Sequence, residues 1–158
     1  MSEETPTPDL PAMGFAQDLD DNNRLELEKY GEFISSAEGD TLIAEGQEQD
    51  SLFLIIVGSF HVQTDTTGRS VLLGKMKGGD TIGEVNIFDP GKASASVVSK
   101  SSVSQVWKID RSSLERFLES NPEAAPRLLV NVATQLSKRL RKTNEKVAMA
   151  REAMMDSF

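Results

Sequence analysis

Hydrophobic positions along the chain fall into three regimes with different spacing. Residues 1–14 carry Pro6, Pro8 and Pro11 and show no apolar period, which predicts a flexible acidic tail. Over 18–31, Asp20, Asp21 or Asn22 can cap a short helix that carries Leu25 and Leu27 and closes at Gly31. From Ile34 the spacing shortens to that of strands, predicted at 41–44, 51–57, 59–64, 71–76, 95–99 and 103–109. Glycine-bearing turns separate them at Gly39, Gly46, Gly58, Gly68 and Gly78-Gly79, a rhythm that favours antiparallel hairpins closed into a barrel or sandwich. The run Phe53-Leu54-Ile55-Ile56-Val57 is apolar on both faces and predicts a deeply buried strand.

After Ile109 the period lengthens again. Ser112 with Glu115 three residues on reads as a capping box, and Leu114, Phe117 and Leu118 form one helical face that should end near Ser120. Asn121-Pro122-Glu123 restarts a helix, with Pro126 interrupting its first turns. From Arg127 to Met155 no breaker occurs. Leu129, Ala133, Leu136, Leu140, Thr143, Val147, Ala150 and Met154 step by fours and threes, a narrow seam on a helix roughly 40 Å long. Such a stripe suits a helix pair better than a wide core, so a homodimer seam through Leu129, Leu136, Leu140, Val147 and Met154 is expected.

Composition narrows the class without changing this outline. A chain of 158 residues, 38% hydrophobic and 27% charged, suits one globular domain. Zero cysteines exclude disulfides, thiolate metal sites and a cysteine nucleophile, and fit a cytoplasmic setting. No apolar run reaches spanning length, and the acidic start is unlike a signal peptide, so no membrane partner is expected. The net charge of -8 is uneven: residues 1–50 hold fourteen of the twenty-five acidic and two of the seventeen basic side chains, leaving eleven against fifteen. The basic excess collects on the last helix as Lys138, Arg139, Arg141, Lys142, Lys146 and Arg151. Without a helix-turn-helix or zinc pattern beside it, this reads as a solvated helix face, and no nucleic-acid-binding domain is expected.

Enzymatic chemistry is thinly represented. His61 is the one histidine and lies on a predicted strand with no nucleophile or metal motif near it, so no catalytic residue and no metal site is assigned. Asp18, Asp20 and Asn22 have calcium-loop spacing, but the loop's glycine position is Asn23 and its twelfth is Lys29, which excludes that site. Gly78-Gly79 is followed by no Gly-Lys-Ser/Thr and sits in no parallel β-α-β unit, which argues against a nucleotide hydrolase or a dehydrogenase. What remains is the stretch 78–97, a glycine turn, a short apolar segment led by Gly83-Glu84, and a strand. Its amides suit an anion and its carboxylate suits a hydroxyl, the outline of a small-ligand site.

The run 37–59, with Gly39, Gly46 and Gly58, resembles the opening strands of cyclic nucleotide-binding domains. Gly78-Gly79-Asp80-Thr81-Ile82-Gly83-Glu84 resembles the entry to that family's phosphate-binding cassette, in the expected order and spacing. The likeness spans about residues 20 to 150, and 139–147 resembles the dimerisation helix of the family's transcription-activator members. It implies a mainly β fold with flanking helices, a double-stranded β-helix or jelly roll over 15–126, followed by a lid and dimerisation helix over 127–158. It further implies ligand contacts from Ile82, Gly83, Glu84 and Val85, with Glu84 on the ribose 2′-hydroxyl and Ser94 on the phosphate. Thr143 falls where the helix contacts the base, and Asn144 where the partner subunit reaches it.

The cassette departs from the family in one place. An arginine usually follows the proline and pairs with the cyclic phosphate; the aligned residue is Ala93, and Lys92 one position earlier carries the charge without the planar fork. Losing one charge-assisted hydrogen bond of about 1.5–3 kcal/mol weakens binding roughly ten- to a hundredfold. Two functions stay open from sequence. One is a non-enzymatic sensor taking cAMP or cGMP through Glu84, Ser94 and Lys92 and moving the last helix, with no other cofactor. The alternative is a ligand-free dimerisation module that docks a protein partner.

Overall fold

The computed structural model describes residues 9–66 and 68–157. The proline-bearing stretch 1–8 lies outside them, as does Thr67 in the turn expected around Gly68. Two four-stranded antiparallel sheets make up the body. The first has the order β1 (Glu32–Ser36), β10 (Ser104–Asp110), β4 (Ser51–Val57) and β7 (Thr81–Ile82). The second runs β2 (Thr41–Ile43), β9 (Ser96–Ser99), β5 (Ser59–Thr66) and β6 (Arg69–Lys77). A two-stranded ribbon, β3 (Glu48–Gln49) with β8 (Gly91–Lys92), closes one end. The six sequence-derived strands are all present, and β1, β3, β7 and β8 are additions, the last three of two residues each. Two residues cannot carry an alternating pattern, so pairing with a partner strand is what defines them.

The β4 run explains how the core divides. Phe53 and Ile55 point between the sheets with Ile43, Phe60, Ile82, Val97 and Val106, while Leu52 and Leu54 point outward onto Trp107, Phe15, Leu27, Phe117 and Leu128. A strand covered on both faces must be apolar on both, as its sequence is. The outer layer is helical: α1 (Asp21–Glu28), α3 (Arg111–Ser120) and α4 (Ala125–Met155). Asp20 caps α1 by accepting from the Asn23 amide at 2.7 Å.

Three expectations need correction. The expected tail over 1–14 does not hold at Leu10, which is fully buried, donates its amide to the Glu28 carboxylate and accepts at its carbonyl from Arg24 Nε at 3.0 Å. The cap of α3 is Asp110, not Ser112, because the Asp110 carboxylate accepts from the Ser113 amide at 2.8 Å. Pro126 does not interrupt a helix but sits in the first turn of α4, where its missing N–H costs no intrahelical bond.

α4 presents two faces to two environments. Leu128 and Val132 are buried in the outer core, and one turn further Gln135 and Arg139 continue that row toward the cassette. Arg127 and Asn131 secure it to the N-terminal segment through the carbonyls of Asp18 and Phe15, each at 3.3 Å. On another side Leu129, Leu140, Val147 and Met154 are exposed, Leu140 at 60% and Met154 at 65%.

Candidate functional site

The cassette is built where β7 pairs with β4 and the chain turns sharply into the short helix α2 (Glu84–Phe88). Gly83 makes that turn with φ 87°, and a Cβ there would lie 2.2 Å from the Ser51 carbonyl oxygen. Only glycine fits, on both backbone and space grounds. The turn drives Glu84 inward: it is 1% exposed, a carboxylate under the roll's surface.

A carboxylate so buried needs a partner. One comes from 55 residues away, where Arg139 of α4 donates from Nη1 to Glu84 Oε1 and from Nη2 to the Thr81 carbonyl. Thr81 Oγ1 in turn meets the Gln135 side-chain amide oxygen, so two successive turns of α4 are tied to the cassette. Burial lowers the Arg139 pKa and the nearby Asp80 carboxylate acts the other way. Among the described residues the second oxygen, Glu84 Oε2, is buried without any hydrogen-bond partner. A buried lone pair of this kind suits a hydroxyl donor.

The other predicted contacts are distributed unevenly. β8 pairs Lys92 with Glu48 and Gly91 with Gln49, and Gln49 Nε2 lies within 3.0 Å of where a Gly83 Cβ would be, so the ribbon borders the cassette. Lys92 is exposed, and Ala93, the residue after β8, is buried. Ala93 donates its amide to Gln47 O at 2.9 Å and packs its methyl in the inter-sheet core beside Ile82. Ser94 and Val85 are exposed. Thr143 lines a cleft of about 530 Å³ between β6 and α4, with its hydroxyl donating to the Arg139 carbonyl at 3.0 Å. Asn144, one residue on, is exposed and outside that lining.

Sequence reasoning missed Arg139, Gln135 and the β6 wall of the cleft. A signal for Arg139 existed, since it stands one helical turn before Thr143 and therefore on the same face.

Against known proteins, the family model described as cyclic nucleotide-binding domain matches residues 33–121. The chain belongs to the cyclic nucleotide-binding domain family. This domain is 32% identical over 140 residues to the CRP-like cAMP-activated global transcriptional regulator of Mycobacterium tuberculosis, covering 88% of this chain and 60% of that protein. It is 30% identical over 108 residues to the cAMP-activated global transcriptional regulator CRP of Salmonella typhimurium, covering 68% of this chain and 50% of that protein. Among solved structures it is similar to the N-terminal domain of a transcriptional regulator from Streptomyces coelicolor, with 30% identity, a TM-score of 0.69, and coverage of 85% of this chain and 91% of that one. The family and these relatives are regulators rather than enzymes, and the mainly β architecture with a long C-terminal helix is the family's fold.

The chain spans between half and about 60% of the length of these curated relatives. One expectation about partners is thereby overturned. A protein without a nucleic-acid-binding domain was expected, but the relatives are regulators of transcription, so the basic residues of α4 and the length of the chain give no ground for excluding nucleic acid as a partner. No helix among the described residues is long and apolar enough to cross a membrane.

Proposed function

We propose that this cyclic nucleotide-binding domain is a cytoplasmic sensor whose ligand engages Glu84 and shifts α4. The observation that carries the reading is the Glu84 carboxylate, buried with one oxygen held by Arg139 and the other unpartnered. A ribose hydroxyl on Oε2 supplies the missing donor in a charge-assisted bond. Ile82, Gly83 and Val85 border the sugar, Ser94 and Lys92 approach the phosphate from the ribbon side, and Thr143 contacts the base. Asn144 reaches the base bound to a partner subunit. Arg139 ties Glu84 to α4, so any ligand that alters this ion pair alters the seating of the helix.

The test is titration calorimetry with cAMP and cGMP, beside the Glu84→Ala variant. We expect saturable binding of at least one of the two, with the variant ten- to a hundredfold weaker, the equivalent of about 1.5–3 kcal/mol for a hydrogen bond to a charged group. Silence at millimolar nucleotide overturns the proposal.

A second reading, a ligand-free dimerisation and protein-docking module, draws on Ala93: its methyl fills the inter-sheet core where the resemblance places a phosphate-binding guanidinium. A protein silent to nucleotides that still self-associates through α4 selects this reading.

A further inference from the structure

We propose that the cleft between β6 and α4 accepts a nucleotide bearing two or more phosphate groups, a ligand more highly charged than a cyclic monophosphate. The inference rests on the nucleotide-sensing reading above and specifies its ligand class. Lys75 lines one wall, Lys138, Arg139, Lys142 and Lys146 the other, and the one carboxylate in the lining is Asp80. Arg139 is balanced by Glu84. Four lysines against Asp80 leave three positive charges unbalanced, in a chain whose net charge is -8. A single cyclic phosphate would neutralise one of the three.

The usual explanation of surface lysines is a solvated face with interleaved acids, and this cleft departs from it in two respects. Among the described residues none of the four lysines has a carboxylate within 4.0 Å, whereas Lys29 and Arg111 on other helices each have one. Lys138, Lys142 and Lys146 also follow one another at intervals of four, which stacks like charges on one helical face and disfavours the free helix. A polyanion in the cleft reverses that repulsion.

The opposite wall adds a fixed element. The β5–β6 register shifts between Val62 and Gln63, whose partners are Gly74 and Leu72, so Leu73 is the bulged residue. Its carbonyl accepts from Lys146 Nζ at 3.4 Å, which draws the end of that side chain across the cleft toward the strand without cancelling its charge. The cleft volume, about 530 Å³, falls in the range of small-molecule sites. Ala93 fits the same picture, since a phosphate site without the cassette arginine requires its cations from elsewhere.

The experiment is calorimetric titration of the whole chain at fixed ionic strength with cAMP, cyclic di-GMP and guanosine tetraphosphate, and with inorganic tripolyphosphate as a control without a nucleoside. We expect cyclic di-GMP or guanosine tetraphosphate to bind at least tenfold tighter than cAMP, with affinity falling more steeply as salt is raised. The Lys142→Gln/Lys146→Gln variant, confirmed as folded by circular dichroism, should bring the ratio of the two affinities at least threefold closer to one. If cAMP binds as well as or better than both, the inference fails and the sensor reading survives. If no nucleotide binds, both fail. Tripolyphosphate matching the nucleotides, or an affinity ratio untouched by the double substitution, also overturns the inference.

Discussion

At the scale of single residues, Glu84 and Arg139 act as one unit. Removing the guanidinium strands a buried carboxylate, a change that costs about 1–3 kcal/mol and more for a charged group. Arg139→Ala should therefore lower the urea midpoint clearly, while Glu84→Gln/Arg139→Ala should lose less than Arg139→Ala alone, because a neutral amide is cheaper to bury than an unpaired charge. An equal loss in both variants would show that the pair is not coupled. Ala93 offers the complementary test. Ala93→Arg places a guanidinium beside Ile82 and Phe53, and overpacking there should destabilise the free protein by about 1–3 kcal/mol. Added cAMP should restore thermal stability by mass action, by about 2.7 kcal/mol at a hundredfold excess over Kd, and a variant with no nucleotide-dependent rise in Tm shows that more than the arginine is missing. Glu84 could be read from the sequence because a Gly-Glu pair after a glycine turn is a local pattern. Arg139 could not be read so directly: its partner is 55 residues away, and its neighbours Lys138, Arg141 and Lys142 disguise it as one more solvated charge.

Among elements, legibility follows the number of residues that carry a pattern. β4 and the 31-residue α4 announce themselves by runs of apolar positions, whereas β7 and β8 exist through tertiary pairing with β4 and β3. The cap of α3 shows a finer failure. Ser112, with Glu115 after it, satisfies the capping pattern, but Asp110 ends β10 in an extended conformation that aims its carboxylate at the Ser113 amide, and strand geometry decides the helix start. That bond holds the Asp110 carboxyl below its ordinary range, against a smaller opposing effect of burial. Because the folded pKa is depressed, the contribution is present above the unfolded value of about 3.9 and is lost as pH falls through the folded value. Asp110→Ala should cost about 1 kcal/mol at neutral pH. Asp110→Asn should keep most of the cap, and its stability relative to the native chain should improve as the pH is lowered; a constant difference between the two from neutral to acid pH would exclude this role.

For the whole molecule, the exposed side of α4 predicts self-association. Leu140, Val147 and Met154 are too exposed, at 53–65%, to serve the domain's own core. Light scattering at tens of micromolar should give twice the chain mass, and Leu140→Glu with Val147→Glu should return it to one; a native monomer at that concentration removes the seam. The spacing of the apolar stripe is visible in sequence because a helix repeats regularly, but which side of the helix meets the roll is not, since that depends on Leu128, Val132 and Arg139 finding partners far along the chain. The row through Arg139 and the stripe through Leu140 lie on the same helix and meet at Thr143, so a ligand in the cleft and a second subunit on the stripe would sit on one element. Two equilibria on one rod are thermodynamically linked. Whatever factor a bound nucleotide contributes to dimer affinity, dimerisation must return to nucleotide affinity. The apparent affinity of such a sensor then depends on its own concentration, and a cell making more of the protein would change the signal level at which it responds.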